Sequence, residues 1–334
     1  MSDEDLLDLV QRQTLRYFWD FGHPESAMAR ERSNAGFGYD PLETVTTGGT
    51  GFGIMAMIAG AERGFLARAD LCARLHRLCD YLGQCDTHHG VFGHFYDARH
   101  GKIIPFSPTD DGGDLPETSF LMMGLLTARQ YFNDDSLLQD KINMLWRTVE
   151  WSSHCRPSDG ALMWHSSANH PWTDKSLDIR GWNECLVTYV LAAGSPTFPV
   201  GYETYVSSWL GGAQFKNGNT YFGTTLPLGP EKGGPLFLSQ YSFLGLDPRA
   251  LEDEWADYSV QVRNHSLINR AHCVANPHGY GGYGAQCWGL SASDSPAGYA
   301  VHEPANDLGV ISPTAALSAF PFTPQESMDA LRHF

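Results

Sequence analysis

The chain is 334 residues long, 42% hydrophobic and 12% aromatic, with a formal net charge of −16. That is enough apolar material for a large core, and residues 1–334 read as a single domain. The acidic balance argues against nucleic acid and anionic membranes and suits a small or neutral partner, and no run of 18 apolar residues offers a membrane span.

At the N-terminus, MSDEDLLDLVQRQ has no signal-peptide pattern. The expected location is the cytoplasm, or the periplasm should a leader precede this sequence. Residues 4–19 then form an amphipathic helix with its stripe at Leu6, Leu7, Val10, Tyr17 and Phe18. GFGIMAMIAGAERGF (51–65) is apolar nearly all round. Residues 69–82 are amphipathic on Leu71, Leu75, Leu78 and Leu82, and ETSFLMMGLLTARQYF (117–132) is again apolar throughout. Residues 135–151 carry a stripe at Leu138, Ile142, Leu145 and Val149, followed by the apolar 184–194. The alternation continues through 202–210 (amphipathic), 235–246 (apolar), 250–271 (amphipathic) and 312–320 (apolar). An eleventh helix opens at 324–334, with Pro324 in its first turn.

A helix apolar on one stripe keeps a wet face, while one apolar all round is buried on both sides. Five such alternations predict an all-α fold, an (α/α)6 barrel of inner and outer helices. The pattern stops within the eleventh helix, so the barrel is expected to lack its last helix or helices at the C-terminus. Its open apolar edge would favour a homo-oligomer. Links after inner helices are short, while those before them are long: 20–50, 83–116, 152–181, 211–234 and 272–309. Long loops in compact domains are usually functional. The expected site is therefore the face where the inner helices begin.

One long loop ends in FSPTDDGGDLPETSFLMMGLL (106–126), which sets Asp110, Asp111, Asp114 and Glu117 before a buried helix. Asp114 as N-cap, Pro116 in the first turn and Glu117 at the third helical position form a capping box. That accounts for two acids but not for Asp110 or Asp111. The Gly112-Gly113 pair lets the backbone turn tightly and a ligand approach closely. DIRGWNECLVTYVL (178–191) places Glu184, flanked by Trp182 and Asn183, at the start of another inner helix. In a barrel both starts lie on one face, so two carboxylates converge across a cleft. Glycoside hydrolysis needs that arrangement: one acid protonates the leaving oxygen, and one carboxylate activates water or attacks the sugar.

TGGTGFG (47–53) lacks the GK[ST] ending of a phosphate loop and reads as tight entry into the first inner helix. DDGGD departs from the calcium-loop pattern, which leaves a calcium site at Asp110, Asp111 and Asp114 as the weaker alternative. Seven cysteines without a CxxC pair read as reduced, mostly buried thiols with no zinc-binding spacing. No metal and no cofactor is expected. His88, His89 and His94 in THHGVFGHFYD could hydrogen-bond sugar hydroxyls. The expected substrate-binding set is Asp111, His94, Trp182, Asn183, Trp164, Tyr283 and Trp288.

LRYFWDFGHPESAMARER, TGFGIMAMIAGAERGF, GVFGHFYDARHGK, DDGGDLPETSFLMMGLLTARQYF, CWGLSASDSPAGY and ISPTAALSAFPFTPQESMDALRHF, in this order along nearly the whole chain, resemble the glycoamylase-like domain. Its best characterised members are glycoside hydrolase family 144, bacterial endo-β-1,2-glucanases. The resemblance implies an (α/α)6 barrel, a neutral β-1,2-glucan or sophorooligosaccharide substrate, and inversion without a metal. It also implies that Asp110, Asp114, Glu117 and Glu184 are important for activity; of these, we expect Glu184 and Asp110 to take part directly in the chemistry and Asp114 and Glu117 to hold the loop and the helix start. Family members continue beyond the position matching Phe334. The alternatives are a transglycosylase of the cyclic β-1,2-glucan synthase type and a non-catalytic glucan-binding protein.

Overall fold

The computed structural model describes residues 1–334 except 35–39, 172, 174–175 and 213–214. The described chain is helix-rich, with short strands between the helices. It divides into two compact units, one of Met1–Ile179 with Val187–Ser207, the other of Arg180–Leu186 with Ser208–Phe334.

The first unit carries α1 (Asp3–Trp19), α2 (Thr47–Glu62), α3 (Arg68–Leu82), α4 (Leu115–Tyr131), α5 (Ser136–Thr148) and nearly all of α6 (Leu186–Gly194). Ser2 and Asp5 cap α1 reciprocally, and Asp135 caps α5 by accepting the Leu138 N–H. The amphipathic stripes are where the spacing puts them. Leu71, Leu75, Leu78 and Leu82 of α3 and Leu138, Ile142 and Leu145 of α5 are buried. In α4 every residue from Thr118 to Leu125 is buried, as a helix packed on both sides requires.

α2 and α4 approach so closely that glycine is needed on both. A Cβ at Gly51 would collide with the Phe120 carbonyl, and one at Gly124 with the Gly51 carbonyl. The glycines of TGGTGFG therefore lie within α2 and serve helix crossing as well as helix entry. Ser119 of α4 and Thr188 of α6 share a buried hydroxyl–hydroxyl bond of 2.7 Å.

The loops hold short antiparallel strands. One sheet runs β1 (Ala29–Arg30), β2 (Thr44–Thr46), β5 (Phe95–Asp97) and β6 (Lys102–Ile104), with Phe95 paired to both Thr46 and Ile104. The hairpin β3 (Thr87–His88) to β4 (Val91–Phe92) turns on His89 and Gly90 at φ of 52° and 70°, the left-handed pair of a tight two-residue turn. β7 (Gly113–Asp114) pairs with β8 (His165–Ser166) immediately before α4.

Three expected helices differ. Residues 202–210 form one α-turn, α7 (Tyr202–Thr204), that runs into a π-turn at Tyr205–Trp209. Residues 235–246 form only two 3₁₀ turns, Leu236–Ser239 and Ser242–Leu244. There the Ser239 hydroxyl meets His265 Nδ1 at 2.7 Å, the Gln240 amide donates to the Ala315 carbonyl at 2.9 Å, and Gly245 follows. Tertiary partners and a glycine interrupt the apolar run. The stretch 250–271 becomes helical only at α8 (Tyr258–Ala275), because Asp257 caps Ser259 and Val260. With α9 (Pro313–Ser318) and α10 (Pro324–His333), α8 surrounds a core of Leu236, Cys273, Trp288, Leu290, Ala316 and Ala330 in the second unit.

Candidate active site

Asp110 ends a tight loop. The Phe106 N–H donates to the Asp110 carbonyl at 2.9 Å, and the Asp110 N–H donates to the Ser107 carbonyl at 3.1 Å. The Asp110 side chain is 7% exposed, and its Oδ1 is buried without a hydrogen-bond partner. Burial and the neighbouring Asp114 push its carboxyl up to about 6, against the opposing pull of His165 and His94. A buried carboxylate with an unsatisfied oxygen is costly to the fold, which marks it as a group kept for a ligand or a proton.

Asp114 is the N-cap of α4, accepting the Glu117 N–H at 3.0 Å through Oδ1. Its Oδ2 lies 3.0 Å from His94 Nδ1. The reciprocal arm of the capping box goes elsewhere. Glu117 Oε2 accepts the Gly48 N–H at 2.7 Å, in the first turn of α2, whose own N-cap Thr46 makes no side-chain cap. One carboxylate thus satisfies an orphan amide of a second helix and sits at the positive end of both dipoles. Burial nonetheless raises its pKa, with His94 and the Gly48 amide pulling it down.

His94 Nε2 is 3.9 Å from Glu117 Oε1. Burial alone would lower its pKa, but Glu117, Asp114 and Asp110 outweigh that and hold it up to about 9. It is therefore an imidazolium at neutral pH, held among three acids. Its ring stacks on Phe106 at 4.4 Å and 22°, with the Phe95 edge at 4.4 Å and 72°.

Asp111 is separate from this group. It faces Ser167 and accepts from Asn169 Nδ2 at 2.8 Å, and these bonds hold it below the usual carboxylate range. Gly112 and Gly113 are where a Cβ would strike the Ser166 carbonyl and Val91. They admit neighbouring chain rather than a ligand, and neither has a positive φ. A cavity of about 530 Å³ is lined by Thr109, His165, Asn169, His170, Pro171, Thr173, Ser176 and Leu177, with Asp110 itself outside the lining. Trp164 is half-buried, its carbonyl accepting the Leu115 N–H at 2.8 Å.

The second acid has different surroundings. Glu184 is half-buried in the turn before α6, which begins two residues later than the sequence pattern indicates. Asn183 Oδ1 accepts the Cys185 N–H at 2.9 Å and the Ser242 hydroxyl donates to the Glu184 carbonyl, so this turn is pinned by its backbone. Trp182 is 4% exposed among Trp209, Phe243 and Tyr258, and Trp288 lies wholly within the core of its unit. Both tryptophans, expected to bind substrate, are packed within the core. Tyr283 is half-buried and donates to Asp307 Oδ1 at 2.8 Å. Phe106, Gly48 and His165 were missed by the sequence reading; for Gly48 and His165 the relevant partners lie in distant segments.

Among the described residues, two groups have ligand atoms close enough for a metal ion, all within 4.8 Å of one another: His94, Asp110 and Asp114, and separately Cys72, His76 and Asp135. The second corrects the expectation of no zinc-like spacing, since Cys72 and His76 are one helical turn apart on α3 and Asp135 arrives from the start of α5. In it Asp135 Oδ2 accepts from Cys72 at 3.3 Å and lies 2.9 Å from His76 Nε2.

The Glycoamylase family model matches residues 176–334. The exo β-1,2-glucooligosaccharide sophorohydrolase (non-reducing end) of Parabacteroides distasonis is 41% identical over 359 aligned positions, covering 100% of this chain and 49% of its own. The chain thus spans about half the length of that curated relative. The solved endo-β-1,2-glucanase of Chitinophaga pinensis, in complex with sophorotriose and glucose, is 44% identical, with 100% of this chain and 82% of that one covered and a TM-score of 0.95. The β-1,2-glucanase of Parabacteroides distasonis matches at 40% identity, 100% and 50% coverage, and a TM-score of 0.92. The chain belongs to the glycoamylase-like family.

Proposed function

We propose that this chain is a glycoside hydrolase that cleaves β-1,2-linked glucan to sophorooligosaccharides, on an (α/α)6 barrel scaffold. The observation that carries the reading is Asp110: a buried carboxyl with an unpartnered oxygen, held up to about 6, in a chain related to enzymes named for β-1,2-glucan cleavage.

In the proposed step Asp110, protonated, gives its proton to the glycosidic oxygen as the bond from that oxygen to the anomeric carbon breaks. A carboxylate base, the role the family resemblance suggests for Glu184, takes a proton from a water molecule, whose oxygen bonds to the anomeric carbon. The configuration inverts, and the two carboxyls end with exchanged protonation. The His94 imidazolium offsets the charge left on Asp110. Asp114 and Glu117 are positioning residues, the former capping α4 and orienting His94, the latter joining the starts of α2 and α4.

The test is product analysis after incubation with linear β-1,2-glucan. Short sophorooligosaccharides from the unmodified chain, and none from Asp110→Asn or Glu184→Gln, are expected. Full activity in both variants would sink the assignment, and binding without turnover in the unmodified chain would make it a glucan-binding protein.

A further inference from the structure

We infer that Phe106 is a sugar-stacking residue, an aromatic platform for a glucosyl ring beside Asp110; this rests on the glucan reading above. Phe106 is 56% exposed. One face is covered by the His94 ring, nearly parallel at 4.4 Å, and Phe95 tilts against it at 5.8 Å. With one face covered, the exposed surface is the opposite face. Its backbone N–H donates to the Asp110 carbonyl at 2.9 Å, which ties the residue to the loop of the buried acid, and its ring packs on His94 and Phe95.

Position separates Phe106 from the other exposed aromatic residues. His94 bridges it to the buried acid, since a ligand atom of His94 lies within 4.8 Å of one on Asp110. Glucopyranose in its chair form carries its hydroxyls equatorially, so each face presents axial C–H bonds. Such a face suits an open aromatic ring and leaves the hydroxyls at the rim for polar groups. A flat ring held rigid before the ligand arrives loses little entropy on binding.

The experiment is calorimetric titration of sophorotriose into the unmodified chain, Phe106→Ala and Phe106→Trp, with KM and kcat for linear β-1,2-glucan measured on the same preparations. Phe106→Ala is expected to weaken binding and raise KM about tenfold, with kcat changed less than threefold and an unaltered melting temperature. Phe106→Trp should restore binding. Equal affinity in Phe106→Ala and the unmodified chain would overturn the inference while leaving the glucan reading intact. A tenfold loss that Phe106→Trp does not restore would assign the effect to a disturbed His94 and also overturn it. Failure of the unmodified chain to bind sophorotriose would overturn both.

Discussion

Two helix starts carry acids, and in the sequence they look alike: a short polar stretch, a carboxylate, then an apolar helix. At α4 the acids are bound into the structure. Asp114 caps its own helix, Glu117 caps α2, and His94 is held between them. At α6 the acid precedes the helix, in a turn where Asn183 Oδ1 accepts the Cys185 N–H and the Glu184 carbonyl accepts the Ser242 hydroxyl. The first start builds an electrostatic environment and the second builds a rigid turn. A carboxylate at a helix N-terminus is thus not one structural category: Asp114 and Glu117 stand at the N-cap and third helical position of α4, while Glu184 stands two residues before α6.

The largest expected effect falls on turnover. Asp110→Asn and Glu184→Gln should each lower kcat by roughly 10²–10⁴, with circular dichroism unchanged. A variant retaining full rate would remove its helix start from the comparison. Next come the helices beneath the first start. Gly124→Ala should destabilise the fold by about 1–3 kcal/mol or more, read as a lower denaturant midpoint, because the added methyl meets backbone that has no slack. An unchanged midpoint would mean that α2 and α4 are free to separate.

Glu117→Gln retains the shape but not the charge. It should cost about 1–3 kcal/mol and lower the His94 pKa, observable by NMR. A His94 pKa that stays near its present value would show that Asp114 alone sustains it. The smallest effects follow pH. His94 has a folded pKa of about 9, above the ordinary 6.5. It therefore contributes stability that is complete below pH 6.5 and lost as pH rises through 9. Asp110, raised from 3.8 to about 6, behaves with the same sign at lower pH, favouring the fold below 3.8 and losing that contribution through 6. Asp110→Asn should accordingly melt a few degrees above the unmodified chain at pH 7.5, with the gap narrowing as pH falls to 5. A variant that melts lower at pH 7.5 would show that the Asp110 charge is well solvated.

Local chemistry was legible in the sequence. The stripes of α3 and α5, the continuous burial of α4 and the N-cap at Asp114 all follow from spacing over a few residues. Contacts made at long range were not. Glu117 reads as half of a local capping box, yet its partner Gly48 is 69 positions away. The apolar run 235–246 has the composition of a buried helix, but Ser239 and Gln240 bond to His265 and Ala315, and those side-chain partners cannot be inferred from periodicity. Trp182 and Trp288 have the residue type of sugar platforms and the burial of core, while the exposed ring beside Asp110 belongs to Phe106, which composition does not distinguish.

The glycine crossing of α2 and α4 bears on how such a protein can diversify. Gly51 and Gly124 leave no side chain through which the two helices could adjust their separation, and the carboxylate that joins their starts bonds to Gly48, about one turn before Gly51. Drift at either position would move the acids' foundation directly, so the crossing tolerates almost no change. Loop 106–110, by contrast, faces solvent on one side and is held by its own backbone. Substitutions in that loop would accordingly be borne far more readily, over a pair of helices that stays constant.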